Sequence, residues 1–206
     1  MSSRLQDAIL RRNKRQTWTA TALERVSLDV HKGEWIGIAG PNGCGKTTLL
    51  RILGGLLTSD SGAVYRYGTV SCFFGLGAGF HPDLTLHENI YLHSLLHGLS
   101  PKEAHHSRDA IITEAELETH RFIPLKCLSL GMLVRLGFAS AMAIDSDIYL
   151  LDEIVAVGDD AFQKHSMERL HTLKSKGKTA ILVSHNPLAL EQLCDRTLLM
   201  EQGRIL

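Results

Sequence analysis

The run Gly40 to Leu50 (GPNGCGKTTLL) constrains this chain more than any other feature. It fits the pattern G-x-x-x-x-G-K-[ST], in which each residue type has a physical task. Gly40, Gly43 and Gly45 let the backbone curl so that its N–H groups face inward, and a helix starting near Gly45 adds its positive end. Lys46 can reach the β- and γ-phosphates of a nucleotide, and the Thr47 hydroxyl can ligate Mg²⁺. The context agrees. Trp35 to Ala39 (WIGIA) is a short apolar run that reads as a buried strand, and Thr47 to Leu53 begins a helix. We assign Gly40, Pro41, Asn42, Gly43, Cys44, Gly45, Lys46, Thr47 and Thr48 to one phosphate cradle. Cys44 suits a position that needs a small residue; the alternative is a thiol that acts as a redox brake on nucleotide binding.

A second constellation supplies what such a cradle needs. Asp147-Ile-Tyr-Leu-Leu-Asp152-Glu153 reads as a buried strand ending in two adjacent acids. Burying an acid without a cation is costly, and Mg²⁺ offsets that cost. Asp152 is therefore assigned to the metal with Thr47, and Glu153 to the polarisation of a water. Ile181-Leu-Val-Ser184-His185 ends a third apolar strand in a histidine. A single histidine there is either structural or, beside the other two strand ends, a γ-phosphate sensor. In doubly wound sheets, ligands sit at the carboxyl ends of the strands.

The rest of the chain sets the frame. Strands alternating with helices predict an α/β fold with a mainly parallel sheet. Strands are expected at Leu23–Val30, Trp35–Ala39, Ala63–Tyr67, Thr69–Phe74, Asp147–Leu151, Lys178–Val183 and Leu198–Met200, with a helix over Ala161–Lys176. The middle changes character. Thr85-Leu-His-Glu88 and Ser100-Pro-Lys-Glu103 have capping-box spacing, and Met132–Ile144 is a further helical stretch. Residues 85–145 thus read as a helical subdomain inserted into a P-loop NTPase core, within one domain covering 1–206.

Charge and cysteines narrow the function classes. Lys+Arg and Asp+Glu are 22 each, so charge gives no case for nucleic acid as a partner. Arg4, Arg11, Arg12, Lys14 and Arg15 form a basic start, either a solvated edge or a contact for anionic lipid or a partner. Cys44, Cys72, Cys127 and Cys194 form no CxxC, which disfavours zinc and suits a reducing compartment. No apolar run approaches the ~18 residues of a membrane helix, and Met1–Arg15 lacks the apolar core of a signal peptide.

Leu128-Ser129-Leu130-Gly131-Met132, ahead of an apolar helix, resembles the signature loop (LSGGQ) of ATP-binding cassette (ABC) ATPases. With the cradle, LLDE, a D-loop-like Ala156-Val-Gly-Asp159 and SHN, the resemblance covers nearly the whole chain. Three longer runs narrow it: Leu76–Thr85 with His87–Tyr91, Ser129–Met132 with Arg135–Ala139, and Asp152–Asp159 with Ala161–Lys164. They look like the ATP-binding subunit of bacterial polysaccharide exporters, which move O-antigen, capsule or teichoic acid chains. The resemblance implies ATP and Mg²⁺ as ligands and a head-to-tail homodimer, with Ser129 and Gly131 acting in trans on the partner's ATP and Asp159 in the D-loop. It further implies integral membrane permease subunits as partners, polysaccharide cargo met only indirectly, and a peripheral location on the cytoplasmic face of the inner membrane. Trp18 is the candidate to stack on adenine, the alternative being a packing or surface tryptophan.

The sequence also departs from the pattern. Leu130 replaces a small residue and is expected either to crowd the phosphate or to point away. Phe73-Phe74-Gly75-Leu76 carries no glutamine where ABC proteins usually place one, as is also common in the polysaccharide exporters. The family's opening strand ahead of Arg4–Leu10 is missing, with an exposed sheet edge as the expected consequence, and no residues are present for the C-terminal carbohydrate-binding β-sandwich of some relatives. Two competing readings stand beside the transport ATPase. One is a hydrolysis-impaired module that dimerises on ATP; the other is a soluble ABC ATPase unconnected with transport.

Overall fold

The structure is a computed structural model that describes residues 20–74, 79–153 and 159–206. Its centre is a six-stranded sheet in the order β2-β3-β4-β1-β5-β6, formed by β1 (Trp35–Ala39), β2 (Val70–Phe73), β3 (Ile148–Asp152), β4 (Thr179–Val183), β5 (Arg196–Glu201) and β6 (Arg204–Ile205). All neighbours are parallel except β5 and β6. The helices are α1 (Lys46–Leu53), α2 (Leu86–Leu96), α3 (Pro101–Glu114), α4 (Leu130–Met142), α5 (Asp160–Ser175) and α6 (Pro187–Leu193).

The continuous apolar strands have the physical cause expected of a parallel sheet, namely cover on both faces. Tyr149, Leu151, Ala180 and Leu182 point to a cluster with Trp35, Phe138, Phe162 and Leu170. Their alternates Leu150, Ile181 and Val183 point the other way, to Ile38, Leu49, Leu50 and Met200. A separate apolar cluster, built on Leu86, Ile90, Ile111, Ile112, Leu125 and Leu136, holds α2, α3 and α4 together. Both capping boxes form: Thr85 and Ser100 accept from the backbones of Glu88 and Glu103, whose carboxylates bond back. Those backbone and hydroxyl bonds hold both carboxyls below the usual glutamate range.

Two expected strands do not form. Leu23–Val30 alternates in burial, with Leu23, Val26, Leu28 and Val30 against the core, but no ladder runs along it among the described residues. Arg25, at φ 53, interrupts the extended conformation. Ala63–Tyr67 is likewise outside the sheet, with Tyr65 and Tyr67 exposed. Alternation reports one-sided burial, and a strand needs a hydrogen-bonding neighbour as well. Sequence reading also missed α6 and β6, both short.

Candidate functional site

The sheet register brings the three chemical motifs to one line. Ile38 of β1 pairs with Val183 of β4, which pairs with Asp152 of β3. The cradle, Asp152–Glu153 and Ser184–His185 therefore leave adjacent strands at the same level.

The cradle begins at Gly40, whose backbone presses against the end of β5. A Cβ there would lie 2.1 Å from the Met200 carbonyl oxygen. At Gly43, φ is 77 and a Cβ would meet nothing within 4 Å. This contrast predicts two sizes of effect. Gly40→Ala is expected to cost about 2–4 kcal/mol through a clash with backbone. Gly43→Ala is expected to cost only the left-handed penalty of about 1–2 kcal/mol. Urea denaturation midpoints of the two variants check the order; equal midpoints would contradict it.

Helix α1 opens differently from the others. The side chains of Thr85, Ser100, Ser129, Asp159 and Asn186 cap α2, α3, α4, α5 and α6. At α1 the N-cap is Gly45, which has no side chain to offer. Its first backbone N–H groups thus face the loop with no side-chain acceptor, which suits an anion. Cys44 is buried and fills the interior of the loop beside Met200 and Ile38. Pro41, Asn42 and Gly43 are exposed along the rim, while Thr48 is half-buried in the first turn of α1.

Lys46 is only 6% exposed. Its ammonium donates to the carbonyls of Gly40 at 2.7 Å and Pro41 at 2.9 Å, and among the described residues it contacts no carboxylate. The Thr47 hydroxyl donates to Asp152 Oδ2 at 2.7 Å. Burial pushes the Asp152 carboxyl above its ordinary value; the Thr47 bond opposes this, the neighbouring Glu153 charge adds to it, and the Lys46 and Arg51 charges lower it. A hydroxyl and a carboxylate are hard oxygen donors. No cluster of three His, Cys, Asp or Glu suited to a metal occurs among the described residues. That donor set fits Mg²⁺, which keeps much of its own water and takes few protein ligands.

Glu153 follows with φ 53, left-handed for a non-glycine residue. Its N–H bonds the Val183 carbonyl at 2.9 Å, and its carboxylate meets His185 Nε2 at 2.8 Å. Backbone strain of this kind is concentrated at functional sites. The sequence placed both residues at strand ends but did not pair them.

The signature residues lie elsewhere. Ser129 is the N-cap of α4, accepting from the Met132 N–H at 3.3 Å, and among the described residues no hydrogen bond joins Ser129 or Gly131 to the cradle. Leu130 is 63% exposed, so within its own chain it points away. Asp159 caps α5 through the Phe162 N–H at 2.9 Å. Trp18 and the 156–158 part of the D-loop run lie outside the described residues, as do Gly75 and Leu76.

Residues 23–156 match the family profile described as ABC transporter. The chain belongs to the ABC transporter family. ABC transporter protein AbcA of Aeromonas salmonicida is 40% identical over 185 residues, 90% of this chain and 60% of the relative. The O-antigen export system ATP-binding protein RfbB of Klebsiella pneumoniae is 40% identical over 184 residues, 89% of this chain and 75% of the relative. The teichoic acids export ATP-binding protein TagH of Lactiplantibacillus plantarum is 42% identical over 185 residues, 90% of this chain and 51% of the relative. The chain thus spans half to three-quarters of the length of these curated relatives.

Among solved structures, a dimeric post-hydrolysis state of the ATP-binding cassette MJ0796 bound to ADP and Pi superposes with a TM-score of 0.81. It is 26% identical and covers 93% of this chain, which covers 91% of it. The α/β architecture is therefore that of ABC transporter cassettes, with a P-loop NTPase core. No helix of the described residues is long and apolar enough to cross a membrane.

Proposed function

We propose that this ABC transporter chain is the ATP-binding, ATP-hydrolysing subunit of a polysaccharide exporter. The observation that carries the ATPase reading is the line of strand ends. An uncapped α1, the Thr47–Asp152 pair and the Glu153–His185 pair all open on one place. Support for the polysaccharide class comes from relatives named for O-antigen and teichoic acid export.

In this reading the cradle, from Gly40 to Thr48, holds the ATP phosphates. Lys46 turns its ammonium from the loop carbonyls to the phosphates, and Trp18 stacks on the base. Thr47 and Asp152 would hold Mg²⁺, which when bound would screen phosphate charge. Glu153 accepts a proton from the attacking water, and His185 keeps the Glu153 carboxylate in place. The left-handed backbone at Glu153 fixes the direction of that carboxylate before ATP arrives.

Ser129 and Gly131 sit at the N-terminus of α4, with no hydrogen bond to their own cradle among the described residues, which fits donation to ATP on a second copy. ATP then joins two copies head to tail and stabilises the dimer by mass action, and hydrolysis removes those contacts. The clustered α2–α4 insert acts as a helical subdomain of a single cassette, with Asp159 at the adjoining D-loop. Export requires integral membrane permease subunits, to which the cassette docks peripherally on the cytoplasmic face of the inner membrane.

Phosphate release by the purified chain, alone and with its co-expressed permease, tests the reading. Turnover that needs magnesium and stops on chelation is expected. Tight ATP binding without phosphate release in either setting would instead make the chain a dimerisation module and overturn the ATPase reading.

A further inference from the structure

Arg135 lies six residues beyond Ser129 on α4, about 9 Å along the helix. Its guanidinium joins three elements. One nitrogen pairs with Glu116, just past the end of α3, and another with Asp159 at the start of α5. The cation also lies 5.3 Å from the ring centroid of Phe162, in the first turn of α5. That ring meets Phe138 of α4 edge-on at 5.6 Å.

Both acids sit at helix ends. Glu116 sits at φ 56, left-handed for a non-glycine residue, with its N–H bonded to the Thr113 carbonyl. Asp159 divides its oxygens: Oδ1 caps the Phe162 N–H, and Oδ2 takes the arginine. The Arg135 side chain is only 19% exposed, while the two acids are mostly solvated. A planar fork of donors matches two carboxylates in a way an ammonium cannot. Alongside it, Glu114 of α3 meets His165 Nε2 of α5 at 3.1 Å and lies 2.8 Å from Arg169 Nε, also on α5, in a geometry that forms no hydrogen bond.

We propose that Arg135 is a positioning residue for ATP turnover, fixing the signature end of α4 against Asp159 and the first turn of α5. The proposal rests on the ATPase reading above and deepens it. Ser129 caps the helix that carries Gly131 and Arg135, while Asp159 stands six residues after Glu153 in the chain. One side chain thus couples the surface offered to a second copy to Asp159 at the start of α5. The apolar cluster joining α3 to α4 and the packing of Phe138 on Phe162 do not depend on Arg135, so loss of Arg135 is expected to shift alignment without unfolding the domain.

Arg135→Gln and Arg135→Lys test the brace, with two readouts. In steady-state turnover, Arg135→Gln is expected to leave KM for ATP within about twofold and to lower kcat about tenfold or more, since small misplacements cost turnover steeply. Arg135→Lys, which keeps the charge but not the fork, should recover part of that loss. In hydrogen exchange of the nucleotide-free chain, the Phe162 and Met132 amides of Arg135→Gln should exchange at least about fivefold faster, with α1 unchanged.

Parental kcat in Arg135→Gln, or a fall matching only a smaller folded fraction, overturns the proposal. The exchange readout does not depend on turnover. If the parent chain releases no phosphate, the ATPase reading fails by itself, and unchanged exchange at Phe162 and Met132 then overturns the brace as well.

Discussion

Lys46→Ala is expected to weaken ATP binding by roughly a hundredfold or more while leaving the domain folded. In the ligand-free chain the ammonium is buried against the Gly40 and Pro41 carbonyls, a resting arrangement with no acid in contact. Removing it loses two hydrogen bonds but also relieves a buried cation, so the two effects oppose each other. Stability should change by no more than about 1 kcal/mol. Binding has no such compensation. Each charge-assisted bond from lysine to phosphate contributes about 1.5–3 kcal/mol, and two of them amount to roughly a hundredfold or more in Kd. Calorimetric titration with ATP, beside thermal melts of both proteins, separates the terms. Parental affinity in Lys46→Ala would show that the loop is not the phosphate site.

Glu153→Gln is expected to do the reverse, keeping ATP bound and stopping its hydrolysis. The amide has the size of the carboxylate and still reaches His185 Nε2, 2.8 Å away in the parent, so the strained turn after β3 keeps its support. What it loses is basicity. General-base catalysis contributes about 10²–10⁴ in rate, and turnover should fall by at least the lower figure. With hydrolysis blocked, the contacts that favour the closed pair persist, and magnesium–ATP should hold the variant as a dimer. Light scattering with and without nucleotide reads the mass directly. A variant that hydrolyses ATP at the parental rate would remove Glu153 as the base. One that stays monomeric at saturating ATP, with the permease present, would remove the nucleotide-joined dimer.

Sequence-based reading went furthest where local patterns carry the physics. The cradle is local: glycine spacing, one lysine and one hydroxyl within eight residues, between a buried strand and a helix. The capping boxes at Thr85 and Ser100 are local as well, and both formed. Reading failed where a partner decides. Leu23–Val30 has the alternation of a strand but joins no ladder among the described residues, because nothing in the pattern reports a neighbour.

Residue type and spacing were enough to propose the phosphate loop and the acid pair, since backbone curvature and ligand chemistry depend on near neighbours, and the resemblance of several runs pointed to the cassette family that the profile match shows. Tertiary structure alone decided the pairings. Thr47 meets Asp152 across 105 positions, Glu153 meets His185 from an adjacent strand, and Arg135 bridges Glu116 and Asp159. Each pairing depends on strand register or helix packing, which the whole core sets through burial, and no short stretch of sequence encodes it.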